Sequence, residues 1–139
     1  MKVLGIGLVV LALVAGILPM FTDCQSQGKA IELANGKTIP MKCHWTAQSE
    51  IAMAVPLFGL GIVMGVVKRK ESRRIIAGIG ALLGIFVILL PTALVGVCAS
   101  ADMLCNSVMK PTLILSGILI IAISIATLVM SERRPEQNA

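Results

Sequence analysis

Charged side chains are absent from four long stretches of this chain, residues 3–22, 51–67, 75–100 and 111–130. A helix rising 1.5 Å per residue needs about 20 apolar residues to cross the hydrocarbon of a bilayer, with a range of about 17–25. Each stretch is long enough. Lipid offers no hydrogen bonds, so a crossing segment must satisfy its own backbone, and segments of this length do so as helices. Hydrophobic residues make up 57% of the 139 positions and charged residues 14%, where a soluble domain carries about a quarter charged. The expected fold is therefore all-α: a single transmembrane domain over 1–139, a four-helix bundle with helices near 3–22, 51–67, 75–98 and 111–130.

Residues 68–74, between the second and third stretches, read Lys-Arg-Lys-Glu-Ser-Arg-Arg. A short loop this basic stays in the cytoplasm. If the helices alternate, Lys2, Arg133 and Arg134 share its side, which holds eight of the twelve Lys and Arg; with Glu71, Glu132 and Glu136 that face nets +5 and the other zero. Both termini are expected inside and the long loop, about 23–49, outside. The first stretch is as long as a full span and has no small-x-small cleavage site before Asp23, so it reads as a retained helix. Aromatic residues are limited to Phe21, Phe58, Phe86 and Trp45. Without a stacking platform, the positive net charge does not point to nucleic acid.

Small residues four apart recur in the spans: Ala12 and Gly16, Gly61 and Gly65, Gly80 and Gly84, Ala122 and Ala126. Such pairs let helix backbones approach in lipid. Pro56 and Pro91 predict kinks, and Pro111 suits a helix start. In the outer loop Asn35-Gly36 sits between two strand-like runs, 30–34 and 37–41, and predicts a small hairpin with Pro40 on an edge. Pro19, Cys24, Met41 and Cys43 are answered by Pro91, Cys98, Met103 and Cys105, which suggests a two-fold parallel repeat.

Cys24, Cys43, Cys98 and Cys105 all fall in the outer loops or at their membrane edges. An even number on the oxidising face predicts two disulfides. Three pairings are open, and the repeat favours Cys24–Cys43 with Cys98–Cys105. A second reading is a thiol oxidoreductase: four helices with a cysteine pair in each outer loop resemble the quinone-coupled DsbB-like thiol oxidases, with quinone as cofactor. Those enzymes carry C-x-x-C in the first loop, whereas eighteen residues separate Cys24 from Cys43 here. Lys42 and His44 flank Cys43 and would lower its thiol pKa. A third reading is a copper-binding protein, with Met41, Cys43, His44, Met103 and Cys105 as candidate metal ligands, because thioether and thiolate select Cu(I). Met53 and Met109 fit helix starts as packing residues.

The run Met41-Lys42-Cys43-His44-Trp45-Thr46-Ala47-Gln48 is the densest patch of special residues, and Met41 to Trp45 form the candidate partner or ligand surface. Trp45 suits an interfacial anchor, and Thr46 or Ser49 is placed to cap the second helix. With Leu90-Pro91-Thr92 and the stretch from Cys98 through Asp102, Met103 and Cys105 to Asn106, this run resembles a family of small bacterial four-helix membrane proteins known as a domain of unknown function. The resemblance covers essentially the whole chain. It implies a bacterial inner-membrane protein, and an accessory role beside an ABC-type transporter; it transfers no catalytic residue. The four spans as drawn contain no Asp, Glu, Lys, Arg or His, the groups that ion and proton pathways use. No nucleotide loop, serine elbow or zinc-protease motif is present either. The leading expectation is a non-enzymatic accessory subunit without a cofactor, in contact with lipid and with an integral-membrane partner or further copies of itself.

Overall fold

The computed structural model describes residues 2–100 and 102–133. Arg134 and Glu136, counted above in the charge of the basic face, lie outside the described residues. Four helices are long and apolar enough to cross a membrane, the make-up of a multi-pass membrane protein. They are α1 (Lys2–Thr22), α2 (Lys42–Val66), α3 (Lys70–Leu89) and α4 (Lys110–Arg133). A π-helical turn, Leu90–Leu94, extends α3, and another, Cys105–Met109, leads into α4. Between α1 and α2 the strands β1 (Ile31–Glu32) and β2 (Thr38–Ile39) pair antiparallel, Ile31 opposite Ile39. Gly36, at φ +72, supplies the left-handed residue that this turn requires. The hairpin is shorter than the sequence suggests and fully exposed.

Two antiparallel helix pairs build the bundle, α1 on α2 and α3 on α4. Both are closed by backbone contact rather than by large side chains. A Cβ on Gly5 would lie 2.8 Å from the Gly61 carbonyl oxygen and 3.0 Å from the Gly65 nitrogen; one on Gly117 would lie 2.9 Å from the Gly84 oxygen. The first pair thus uses Gly61 and Gly65, the second Gly84, as small residues in lipid are used. Outward faces are apolar, with Ile6, Val10, Leu13 and Ile17 exposed along α1 and Leu82, Ile85 and Phe86 along α3. Inside α4, Ser116, Ser124, Thr127 and Ser131 are buried with their hydroxyls donating to carbonyls three or four residues back, so no polar group there lacks a partner.

The second helix begins at Lys42 rather than at Ile51. The uncharged stretch marks where charge ends, not where the helix starts: Cys43, Thr46, Ala47 and Glu50 are buried at spacings of three, four and seven, a helical face. Thr46 and Ser49 are consequently interior residues and not caps. The N-cap position is Met41, which makes no side-chain cap bond. Glu50 therefore lies within a spanning helix, which corrects the expectation of spans free of ionisable groups. The third helix starts at Lys70, not Ile75, and ends before Cys98. Pro91 lacks the N–H needed to continue an α-helix, and the chain widens there into the π-helical turn. Val95 and Gly96 close it, both donating their N–H to the Leu90 carbonyl. Gly96 has φ +78, which turns the chain out of the helix towards Cys98. Helix α2 runs on through Pro56.

Candidate functional site

Each cysteine sits at the same end of a different helix. Cys24 follows α1, Cys43 is the second residue of α2, Cys98 follows the turn that ends α3, and Cys105 opens the turn into α4. The four sulfurs meet at one point. Cys43 Sγ lies 2.6 Å from Cys98, 2.9 Å from Cys105 and 3.0 Å from Cys24. Cys24 is 3.4 Å from Cys105 and 3.7 Å from Cys98, and all four atoms lie within 4.8 Å of one another. The sequence repeat groups them as two local pairs, and neither pair alone signals that residues more than fifty positions apart converge. The four are free thiols in this structure, and the distances favour none of the three pairings decisively.

Cys24, Cys43 and Cys105 are buried and Cys98 is half-buried. Burial pushes the Cys24 thiol up to about 12. At Cys98 burial also works upward, but hydrogen bonds to its sulfur from the Cys43 and Cys24 thiols and the Cys43 backbone outweigh it and hold that thiol below its ordinary value. Two thioethers complete the sulfur shell: Met41 Sδ lies 3.9 Å from Cys98 and Met103 Sδ 3.9 Å from Cys24. A tetrahedron of thiolates around a metal at about 2.3 Å has edges of about 3.8 Å. Five of the six edges, at 2.6–3.7 Å, are at or below that length, and all are within 4.8 Å, so the four sulfurs are close enough to share one ion. Four thiolates in tetrahedral array suit Zn²⁺ or iron, and thiolate with thioether suits Cu(I).

His44 and Asp23, the neighbours of Cys43 and Cys24, join the same two helix ends. His44 Nδ1 is 3.1 Å from Asp23 Oδ2. Asp23 Oδ1 accepts the Ser26 backbone N–H at 2.7 Å, and Ser26 Oγ donates to the Asp23 carbonyl. Burial works to raise the Asp23 carboxyl, but the hydrogen bonds from His44 and Ser26 prevail and hold it below the ordinary carboxylate value. His44 thus stands beside the sulfurs with a partner of its own. Thr46 Oγ1 donates to the Gly96 carbonyl at 2.6 Å, fastening α2 to the segment that carries Cys98. Lys42 and Trp45 face outward, Trp45 edge-on to the His44 ring at 6.0 Å between centroids. Met53 packs at the margin of the core, and Met109 is fully buried in it.

Sequence reasoning missed Glu50. It is 0% exposed, and its two carboxylate oxygens are the buried side-chain polar atoms without a hydrogen-bond partner among the described residues. Its spacing of seven from Cys43 was the available signal.

A family model described as Domain of unknown function (DUF4418) matches residues 3–130. No curated protein and no solved structure matches the chain.

Proposed function

The chain belongs to the Domain of unknown function (DUF4418) family, and because that family brings no activity to transfer, we propose from the site itself that this is a non-enzymatic membrane subunit pinned by a metal–thiolate centre. One observation carries the proposal: four cysteines, one from each helix end, place their sulfurs within 4.8 Å of one another. All four ligand positions are supplied by the protein and three are sealed from solvent. A closed site of this kind is structural, since a catalytic metal keeps a position open. The ion is a thiophilic one of the Zn²⁺ or Cu(I) class, and its binding energy, about 10–16 kcal/mol for structural zinc sites in small peptides, becomes folding energy for the loops. What the centre holds still is the surface above it, Met41 to Trp45 and the hairpin, which serves as the docking face for an integral-membrane partner such as an ABC-type transporter. The basic loop at residues 68–74 supports an orientation in which this face lies outside a bacterial inner membrane and both termini lie in the cytoplasm.

The thiol oxidoreductase reading has one observation in its favour, the half-exposed Cys98 next to Cys43. It has against it the burial of the other three thiols, because exchange needs an accessible thiolate. Purification in mild detergent without added reductant decides among the readings. The expected result is one metal per chain, with all four cysteines open to alkylation only after chelation. Two disulfides and no metal would overturn the metal centre and leave the cysteines as the cross-links first expected. Quinone reduction with a dithiol substrate would overturn the non-enzymatic reading.

A further inference from the structure

Glu50 lies in a spanning helix, is completely buried and has no hydrogen-bond partner for either oxygen. An unpaired carboxylate charge in apolar surroundings is so costly that the group takes a proton instead, and ionisable groups within a membrane are rarely there without a use. Every other buried side-chain oxygen described here is satisfied, so Glu50 does not have the environment of a structural hydrogen-bonding residue. Nor does it have the environment of a metal ligand: the only cluster of His, Cys, Asp or Glu suited to a metal, among the described residues, is the four cysteines. A hard cation needs six or more oxygens. A proton needs one.

The surroundings of Glu50 are strongly one-sided. Towards the cysteine end, the same face of α2 carries Thr46 and then Cys43, about 10 Å along the axis. Towards the other end it carries Ala54, Leu57, Gly61 and Met64, an apolar seal over the roughly 24 Å to Val66. Helix α2 packs mainly against α1, α3 and the turn Leu90–Leu94, and its Met64 also meets Thr127 of α4. Their ionisable groups, Lys2 on α1 and Lys70, Glu71, Arg73 and Arg74 on α3, all lie at the far end, and the turn has none. On α4, Lys110 stands at the cysteine end and Glu132 and Arg133 at the far end. The titratable groups nearest Glu50 along the chain are thus Cys43 and His44, with Asp23, Cys24, Cys98 and Cys105 around them.

We propose that Glu50 is an intramembrane proton-binding site, filled and emptied through the cysteine end of the bundle. The step is proton transfer alone: water at that end supplies the proton to the carboxylate and takes it back. It does not rest on the metal reading and holds whether the cysteines carry an ion or disulfides.

Dicyclohexylcarbodiimide, which reacts with protonated carboxyls in apolar settings, is the probe. Applied to the monodisperse wild-type protein in mild detergent over a pH series, it should modify Glu50, read by peptide mass spectrometry, with labelling that falls as the pH is raised. A water-soluble carbodiimide should leave Glu50 untouched. Glu50→Gln, nearly isosteric with the protonated acid, should stay folded and lose both the adduct and a carboxylic C=O infrared band. That band should shift in D₂O, several-fold more slowly once N-ethylmaleimide occupies Cys98 in reduced, chelator-treated protein. Folded wild-type protein without an adduct at any pH would overturn the site, and labelling constant to the top of the range would show a permanently neutral acid and overturn it too. A D₂O shift indifferent to the Cys98 adduct would overturn the route.

Discussion

Cys98 differs from its three sulfur partners in being reachable, and it holds its proton less tightly than Cys24, which is buried and pushed up to about 12. In reduced, metal-free protein, iodoacetamide should therefore modify Cys98 first. Its rate should level off at a lower pH than that of a free thiol, because the hydrogen bonds to its sulfur outweigh its burial. Cys24, still a thiol at neutral pH, should gain rate with each unit of pH through the alkaline range. Peptide mass spectrometry over a pH series checks the order, and equal rates at the two positions would contradict it. The Asp23–His44 pair is partly screened by solvent, so His44→Ala should cost only about 1 kcal/mol in thermal stability and leave the metal content unchanged. A loss of metal would make His44 a ligand, the copper reading from the sequence. His44 and its neighbours stood out at once as unusual residues, but their partners did not. Asp23 is twenty-one positions away, and a contact between two helix ends leaves no periodicity along the chain.

At the scale of the helix, the two glycine seams carry the packing. Gly61→Leu and Gly84→Leu each force a side chain into a neighbouring backbone or side chain closer than 3.3 Å, and should destabilise the purified protein by about 1–3 kcal/mol or more. Gly59→Leu and Gly78→Leu, with open space around them, should melt as wild type in size-exclusion thermal series. The same seams explain what was legible. Pairs of small residues four apart named Gly61, Gly65, Gly80 and Gly84 without the structure, because close approach in lipid has few other solutions. The start of α2 was hidden for a different reason. Lys42, His44 and Glu50 look like loop residues when charge is the criterion, and only the burial spacing of Cys43, Thr46, Ala47 and Glu50 shows that they are wound into the helix.

Across the whole molecule, the basic segment around residues 68–74 and the cysteine centre lie at opposite ends of the bundle, and Arg74 reaches Glu132 at 2.6 Å at the basic end. A cysteine placed at Asn35 should accept a membrane-impermeant maleimide in intact cells, and one at Ser72 should do so only after permeabilisation. Labelling of Ser72 from outside would reverse the orientation. The fold class was readable because a bilayer imposes length and charge rules on every span. The convergence of the four sulfurs was not, since it arises from how two helix pairs close on each other. That closure also gives the centre a history. Cys24 and Cys43 come from the first helix pair, Cys98 and Cys105 from the second. At roughly 5–20 residues per second, Cys98 is made about 3–11 s after Cys43. For those seconds the nascent chain presents two thiols, 3.0 Å apart in the finished fold, to whatever oxidant or ion reaches them first. The choice between a cross-linked and a metal-loaded protein is then a race run during biosynthesis, before the bundle is complete.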